Sequence, residues 1–182
     1  MQPIKILLTW LEKNANDQRY LFVAQDLRQL FPTISDGAFR AFMSRAVKAG
    51  YIDRICRNLY AYKPSKHSHG LLLFHVASYL RSNEFNYISL ETALSDAGVI
   101  SQIPINYISI ITSGCSNKID CGKFGSIEFT HTEQKPTDIM NELVYDADCR
   151  LWRATVPRAL KDMKRVRRNI DLIDWDIANE FI

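Results

Sequence analysis

Apolar residues recur at helical spacing from the start of the chain. Four of them follow Pro3 at positions i, i+3, i+4 and i+7: Ile4, Leu7, Leu8 and Leu11. This spacing predicts a first helix that ends near Asn14. The apolar run at 21–23 predicts a short extended segment, and residues 24–30 predict a second short helix that Pro32 stops.

The clearest helical pattern lies between Ser35 and Gly50. Its apolar residues fall on one stripe: Phe39, Phe42, Met43, Ala46 and Val47. Ser35 is a favourable N-cap, the carboxylate of Asp36 suits the positive end of a helix, and glycine is typical just past a helix end. The polar side chains lie largely off that stripe and are free to meet solvent or phosphate: Arg40, Ser44, Arg45 and Lys48.

Two short β-prone runs, YIDRI at 51–55 and NLYAY at 58–62, follow this helix. Arg57 and Asn58 lie where they meet, and asparagine tolerates the left-handed backbone of a tight turn. Three helices and a hairpin in this order predict a winged helix, a helix-turn-helix variant, over residues 1–66. In that fold the third helix faces a groove of DNA and the hairpin tip reaches the DNA backbone. The predicted DNA contacts are Arg40, Ser44, Arg45, Lys48, Arg54, Arg57 and Asn58.

Residues 67–182 predict a second, mixed α/β domain, which makes the whole chain an α+β protein. The apolar run at 71–83 predicts one helix. Ser89 and Thr92 form an imperfect capping box for another helix, which Gly98 closes.

Alternating apolar residues predict two strands, at 106–114 and 122–132, and the CSNKIDC segment between them is interpreted as the connection of a hairpin. The tail predicts one or two helices. Within it, four cations share one predicted helical face, here called the tail stripe: Lys161, Lys164, Arg165 and Arg168. The tail stripe is a candidate contact for a nucleic-acid backbone or an acidic protein surface, and the alternative is a solvated face.

Charge is unevenly distributed along the 182 residues, whose net charge is +3. Residues 1–66 hold 11 Lys/Arg and 5 Asp/Glu, residues 67–150 hold 5 and 10, and residues 151–182 hold 7 and 5. A basic first part on an acidic body indicates that the first part meets a polyanion. The alternative is a chance imbalance on a solvated surface.

The location of the protein follows from what the sequence lacks. No apolar run approaches the roughly 20 residues of a membrane span, and the N-terminus has no export-signal pattern. Four cysteines are scattered without a C-x-x-C pair: Cys56, Cys115, Cys121 and Cys149. Cysteines of this kind are typical of reduced thiols, so we expect a cytoplasmic protein that does not contact a membrane.

Residues suited to catalysis or metal binding are few. Five are of zinc-ligand type but lack the close spacing of a zinc site: His67, His69, His75, Cys115 and Cys121. Cys115 could act as a nucleophile only with His131 as its base. The acidic residues at 128–148 are expected to be a solvated face, and no glycine-rich phosphate loop is present. The sequence therefore predicts no catalytic residue, no bound metal and no cofactor.

Three phrases of the sequence match one known family. The wing phrase is carried by Gly50, Ile52, Arg54, Ile55, Arg57, Leu59 and Tyr60, with Asn58 where the family has Gly. A second phrase, "S-L-E-S/T-A-L-x-x-x-G" followed by two hydrophobic residues, matches residues 89–100. A third is partly kept by Ala154, Thr155, Arg158, Ala159, Leu160 and Asp162, and it departs at Val156, Pro157 and Lys161. Over about residues 20–165, the chain resembles the AbiEi family of antitoxins from type IV toxin–antitoxin systems.

The resemblance implies two activities. The first domain of such antitoxins binds inverted repeats in the promoter of its own operon, as double-stranded DNA, and represses transcription. The second domain counters a toxin that resembles a nucleotidyltransferase, without a stable complex between the two proteins. The alternative from another class is a winged helix that docks a protein partner, or a transcription regulator without a toxin.

Overall fold

The structure, a computed structural model, describes residues 2–62, 70–101 and 106–182. The chain folds into two compact units, Met1–Gly70 and Leu71–Ile182, and both combine helices with a β-sheet. The α+β class expected from the sequence is therefore confirmed. Within the described ranges, no helix has the length and apolar content that crossing a membrane requires.

The first unit alternates short helices with short strands. Its elements are α1 (Pro3–Asn14), β1 (Leu21–Val23), α2 (Ala24–Arg28), α3 (Asp36–Lys48), β2 (Asp53–Cys56) and β3 (Leu59–Ala61). The strands form an antiparallel sheet in the order β1-β3-β2, with Leu21 opposite Ala61 and Arg54 opposite Tyr60. The predicted end of the first helix, the extended segment at 21–23 and the hairpin are confirmed.

Local signals set the ends of α3 and the turn of the hairpin. The hydroxyl oxygen of Ser35 accepts a hydrogen bond from the Ala38 N–H at 3.2 Å, which satisfies one free donor of the first helical turn. Gly50 adopts a φ of +75° just after the helix, a conformation that costs glycine little. Asn58 adopts a φ of +62° between β2 and β3, the left-handed backbone predicted for the hairpin turn.

The core of the first unit is aromatic and aliphatic. It contains Leu7, Leu11, Phe22, Leu27, Phe31, Phe39, Phe42, Met43, Ala46, Ile52 and Tyr62. Phe31 meets Phe42 edge to face, with ring centroids 5.1 Å apart, and this contact joins the turn before α3 to the helix itself. Because the apolar stripe of α3 is buried here, the opposite side of α3 is left to solvent.

The second unit is built around a six-stranded mixed sheet within the described residues. Its helices are α4 (Leu72–Leu80), α5 (Leu90–Asp96), α6 (Pro136–Ile139), α7 (Val156–Arg165) and α8 (Trp175–Ala178). Its strands are β4 (Asn86–Ile88), β5 (Tyr107–Thr112), β6 (Asn117–Asp120), β7 (Ser126–His131), β8 (Leu143–Asp146) and β9 (Leu151–Ala154). The strand order is β6-β7-β5-β4-β9-β8.

The predicted strands at 106–114 and 122–132 exist, but their interpretation as a hairpin is wrong. They are β5 and β7, and they pair in parallel, with Ile108 opposite Ile127. The segment between them is not a plain connection, because it contains β6, which pairs antiparallel with β7 at the edge of the sheet. Alternation of apolar residues predicts a strand but says nothing about the direction of its partner.

Helices cover both faces of this sheet. Tyr87 on β4 donates to Asp162 on α7 at 3.1 Å, so α7 lies on the face to which Tyr87 points. Across the sheet, Tyr87 is in register with Ile111 and Ile111 with Thr130, so Phe129, one residue before Thr130 on β7, points to the other face. The guanidinium of Arg81, just after α4, lies 4.8 Å from the ring centroid of Phe129. Since successive side chains of a strand point to opposite faces, α4 and α7 lie on opposite sides.

Candidate nucleic-acid interface

The solvent side of α3 is exposed and polar. Its exposed residues are Asp36, Gly37, Ala38, Arg40, Ala41, Ser44, Arg45 and Lys48. Successive helical residues are rotated by about 100°, so Gly37, Ala41, Ser44 and Lys48 follow the middle of this side. Arg40 and Arg45 are rotated by about 140° from each other and lie at its two edges. The middle of this side therefore carries three small residues followed by Lys48 at the last turn, and Arg40 and Arg45 flank them.

One groove of about 490 Å³ brings part of the predicted interface together. It is lined by Val23, Ala24, Gln25, Arg28, Asp36, Phe39, Arg40 and Asn58. The Ala24 N–H donates to the Asn58 carbonyl oxygen at 2.9 Å, which fixes the hairpin tip beside the start of α2. Two predicted contacts from different elements, Arg40 and Asn58, thus border the same depression.

Arg45 borders a different depression, of about 330 Å³, at the other edge of α3. Most of its lining is apolar and includes Ile4 from α1, Phe42 from α3 and Tyr51, whose side chain is 45% exposed. The structure therefore places Arg40 with the hairpin tip, and it places Arg45 beside the N-terminal end of α1.

Five cations of the predicted interface, here called the basic surface, remain uncompensated. They are Arg40, Arg45, Lys48, Arg54 and Arg57, and all are exposed. Arg40 Nε donates to the Asp36 carbonyl oxygen of its own helix at 3.3 Å, and Arg54 Nε lies 3.5 Å from the Cys56 carbonyl oxygen. Within residues 2–62, 70–101 and 106–182, no carboxylate forms an ion pair with any of the five.

Arg28, which the sequence did not single out, fixes the turn between α2 and α3. Its Nε lies 3.1 Å from an Asp36 carboxylate oxygen, and its two Nη groups donate to the carbonyl oxygens of Phe31 and Ile34, the latter at 2.6 Å. Its guanidinium also lies 5.6 Å from the ring centroid of Phe39. A planar group with several fixed donors can hold two carbonyls and a carboxylate together, which lysine cannot do.

Replacing Arg28 with alanine is expected to lower the free energy of unfolding of the first unit by about 2 kcal/mol, because three charge-assisted hydrogen bonds are lost at a partly exposed site. Arg28→Lys should recover less than half of the loss, since lysine keeps the positive charge but lacks the several planar N–H donors of the guanidinium. Urea unfolding of the full chain, followed by Trp10 fluorescence, measures both variants. If Arg28→Lys were as stable as the wild type, charge alone would explain the role of Arg28.

The tail stripe does not form the face predicted from the sequence. α7 ends at Arg165, so Arg168 lies beyond the helix and does not share its face. Lys161 Nζ donates to Glu142 at 2.8 Å, and Arg168 forms ion pairs with Glu128 at 2.6 Å and Glu91 at 3.6 Å. Two of the four predicted cations are therefore already compensated by the carboxylates of their own unit.

The other two members of the tail stripe are exposed and only weakly held. Lys164 Nζ lies 5.9 Å from the ring centroid of Trp175. The only hydrogen bond of the Arg165 guanidinium within the described ranges is a long one, 3.5 Å, to the hydroxyl of Thr132.

Residues of the second and third phrases meet in a buried network. Asp162 accepts from Arg158 at 2.5 Å, from Ser89 at 2.8 Å and from Tyr87 at 3.1 Å. Burial, followed by the charge of Asp162, raises the pKa of Tyr87 well above its usual value, which keeps the phenol protonated. The phrases therefore mark a structural link between β4 and α7.

The imperfect capping box at Ser89 and Thr92 is wrong as a cap. The Ser89 hydroxyl donates to Asp162 instead of capping α5, and the Thr92 hydroxyl oxygen accepts from the Ser109 N–H at 2.8 Å. Both side chains form hydrogen bonds with residues distant in sequence instead of capping α5, because those partners are buried and need a hydrogen bond.

The residues considered for metal binding or nucleophilic chemistry have other contacts. His67 and His69 lie outside the described residues. His75 is buried with its Nε2 2.6 Å from the Asp148 carbonyl oxygen, and burial lowers its pKa. His131 Nδ1 bonds the Gly114 carbonyl at 2.8 Å, and Cys115 is exposed. Among the described residues, no group of three or more His, Cys, Asp or Glu side chains is placed to hold a metal ion.

The acidic residues between 128 and 148 fall into two groups. Glu128, Glu142 and Asp146 are engaged by cations of the same unit, whereas Glu133, Asp138 and Asp148 are exposed. The hydrogen bond from Lys161 lowers the pKa of Glu142 most. The expected solvated acidic face is therefore only partly present, because half of these carboxylates form internal ion pairs.

Comparison with known proteins adds no further constraint on this interface. No family model matches the chain, and a search of the curated proteins finds no significant match.

Proposed function

We propose that the first unit is a winged-helix domain that binds double-stranded DNA through the basic surface. The order of its elements, its three-stranded antiparallel sheet and the exposed side of α3 support this proposal. In such a domain α3 enters the major groove, and the hairpin between β2 and β3 is the wing that contacts the neighbouring backbone.

The observation that carries the proposal is the lack of internal carboxylate partners for the basic surface. Cations that form no ion pair within the described chain keep their full attraction for phosphate, and each contact releases a bound counterion from DNA. If Arg45, Lys48, Arg54 and Arg57 contact phosphates, log Kobs should fall with log salt concentration with a slope of about −3.6.

The small residues along α3 support the proposed depth of insertion. Gly37, Ala41 and Ser44 let the helix backbone approach the floor of a groove, where a row of long side chains would hold it away. Arg40 can donate two hydrogen bonds to guanine, and Ala41 can contact a thymine methyl group. We therefore assign base recognition to Arg40, Ala41 and Ser44, and backbone contacts to Lys48, Arg54 and Arg57.

We further propose that the protein is an antitoxin that represses its own type IV toxin–antitoxin operon. The match of residues 50–60 and 89–100 to the AbiEi phrases supports this assignment. The partners are then the inverted repeats of the promoter and a nucleotidyltransferase-like toxin, with no stable complex between toxin and antitoxin. The resemblance to the AbiEi phrases predicts that the neighbouring reading frame encodes that toxin.

Two measurements test these proposals separately. Fluorescence anisotropy compares a duplex from the protein's own upstream region with a duplex of the same composition in scrambled order, and tighter binding to the first is expected. Co-expression with the product of the neighbouring frame tests rescue of growth. Binding without rescue would leave a DNA-binding regulator and reject the antitoxin role.

A protein-docking winged helix is the second candidate function. The apolar depression beside Arg45, with the half-exposed ring of Tyr51 at its border, is the observation that favours it. Recovery of one stoichiometric protein with the purified chain, together with equal weak affinity for both duplexes, would select this candidate over DNA binding.

A further inference from the structure

The second unit contains a polar groove between the end of α7 and the strands β6 and β7. Its volume is about 520 Å³. The lining residues are Ser116, Asn117, Lys118, Glu128, Phe129, Thr130, Val166, Arg167 and Arg168. Three of these side chains are cations and one is a carboxylate, so the groove is positive although it lies in the acidic part of the chain.

Arg168 is held in a fixed position inside this groove. Its Nη2 lies 2.6 Å from Glu128, and its Nε lies 3.6 Å from Glu91. Glu128 also accepts a hydrogen bond from the phenol of Tyr107. Burial opposes ionisation of Glu128, but the bonds from Tyr107 and Arg168 outweigh it and lower the pKa of Glu128. The carboxylate in the groove is therefore already engaged by Arg168 and by a phenol.

Lys118 and Arg167 are the two cations of the groove that form no direct ion pair in the described part of the chain, although the charge of Lys118 helps to lower the pKa of Glu128. Lys118 lies opposite Glu128 in the strand register and its Nζ is 5.7 Å from the ring centroid of Tyr107, yet it forms no ion pair within 4.0 Å in the described part of the chain. Arg167 is exposed and has no hydrogen bond or ion pair from its side chain there.

The backbone of Arg167 is strained. Its φ is +57°, at the position just past the C-cap of α7, and the Arg168 N–H returns to the Met163 carbonyl at 2.9 Å. This is the position of the Schellman motif that glycine usually occupies. A side chain in the left-handed region costs about 1 kcal/mol relative to glycine.

Hydrogen-bond donors complete the groove. The Ser116 hydroxyl oxygen accepts from the His131 N–H at 2.8 Å, so its own proton remains available to a ligand. The side-chain oxygen of Asn117 accepts from Arg81 at 2.9 Å, so this side chain is held on the α4 face of the sheet, opposite the face of Lys118 and Thr130. Thr130 adds a hydroxyl that no described residue engages.

We propose that this groove binds a phosphate group of an anionic ligand. Lys118, Arg167 and Arg168 supply the positive charge, and Ser116 and Thr130 donate to the remaining phosphate oxygens. The phosphate belongs to a free nucleotide or to a nucleic-acid chain, which present the same group. This site lies wholly in the second unit and is independent of the basic surface.

The test uses the full chain with Arg40→Ala and Lys48→Ala, which weakens anion binding at the first unit. Inorganic pyrophosphate is titrated at constant ionic strength, and amide NMR shifts of residues 116–118, 130 and 167 report binding. Arg167→Gly is the informative variant, because it removes the charge and also relieves the backbone strain. Lys135→Ala, which removes an exposed cation from the same unit, is the matched control.

Pyrophosphate is expected to shift these amides, and Arg167→Gly should raise its Kd about tenfold, as expected for the loss of one charge-assisted contact. The same variant should unfold about 2–4 °C higher, so its loss of binding cannot come from misfolding. Lys118→Ala should weaken binding to a similar extent, and Lys135→Ala should not. Equal pyrophosphate affinity in Arg167→Gly and its parent, or no shift of these amides, overturns the proposal.

Competition identifies the source of the phosphate. ADP and a short oligothymidylate are added in turn to the pyrophosphate complex. Stronger displacement by ADP assigns the groove to a nucleotide, and stronger displacement by the oligothymidylate assigns it to a nucleic-acid strand. Because the parent already lacks two cations of the basic surface, failure here leaves the proposed DNA binding by the first unit unaffected.

Discussion

Replacing Asp162 with alanine should lower the free energy of unfolding of the second unit by about 3–5 kcal/mol, the cost of removing one partner of a buried ion pair. The side chains of Asp162 and Arg158 are only 2% and 5% exposed, so the guanidinium would lose its nearest counter-charge without gaining water. Ser89 and Tyr87 would lose the same acceptor. Glu142, 3.4 Å from Arg158 and partly exposed, can compensate only in part.

Asp176→Ala is the matched control, because it removes the same charge from an exposed position. It should change the free energy of unfolding by no more than about 0.5 kcal/mol. Urea unfolding monitored by far-UV circular dichroism distinguishes the two variants. Similar midpoints for both would show that the buried network around Asp162 does not stabilise the unit. The interpretation of the second and third sequence phrases as a structural link between β4 and α7 would then be wrong.

The double substitution Arg40→Ala and Arg57→Ala should weaken binding to the upstream duplex about 100-fold. Each residue loses one charge-assisted contact, and about 1.4 kcal/mol corresponds to a factor of ten. Arg40 borders the groove beside the hairpin tip, and Arg57 lies within that tip. The slope of log Kobs against log salt concentration should also become less steep by about one, because Arg57 is the member of the pair assigned to the DNA backbone.

Lys5→Ala with Lys13→Ala provides the control, because both lysines are exposed on α1 and their removal gives the same change in net charge. Its affinity and salt slope should stay close to those of the wild type. If both double variants lost affinity equally, the binding would reflect net charge alone and not a defined contact surface.

The first unit was largely predictable because its signals are local. Ser35 as a cap, the apolar stripe of α3, Gly50 after its end and Asn58 in the turn each act within a few residues, and all four appear where expected. Arg28 was missed because its partners, the carbonyls of Phe31 and Ile34, are backbone groups whose position a sequence does not display.

The second unit was predicted less well because its sheet depends on contacts between distant residues. β5 and β7 were visible as strands, but their parallel pairing needs β6 to fold back at the edge. The buried strand β4 lacks alternation, since all three of its residues are inside. Arg168 looked like part of a free helical stripe, and only the fold brings Glu91 and Glu128 to it.

Ion pairing explains why overall charge alone was a poor guide. In the second unit Arg153, Arg158 and Arg168 engage carboxylates that are distant in sequence, so much of its charge is satisfied internally. The first unit has no such compensation of the basic surface among its described residues. The contrast supports assigning a polyanion to the first unit on structural grounds and not on net charge.

The most direct test of the account is an amide NMR titration of the full chain with the upstream duplex. We predict that the largest shifts fall on residues 37–48 of α3 and on 56–59 at the hairpin tip, with small shifts on the lysine-bearing side of α1. Shifts that leave α3 and the hairpin unchanged, or that concentrate on Ile4 and Tyr51 at the apolar depression, would contradict DNA binding through the basic surface.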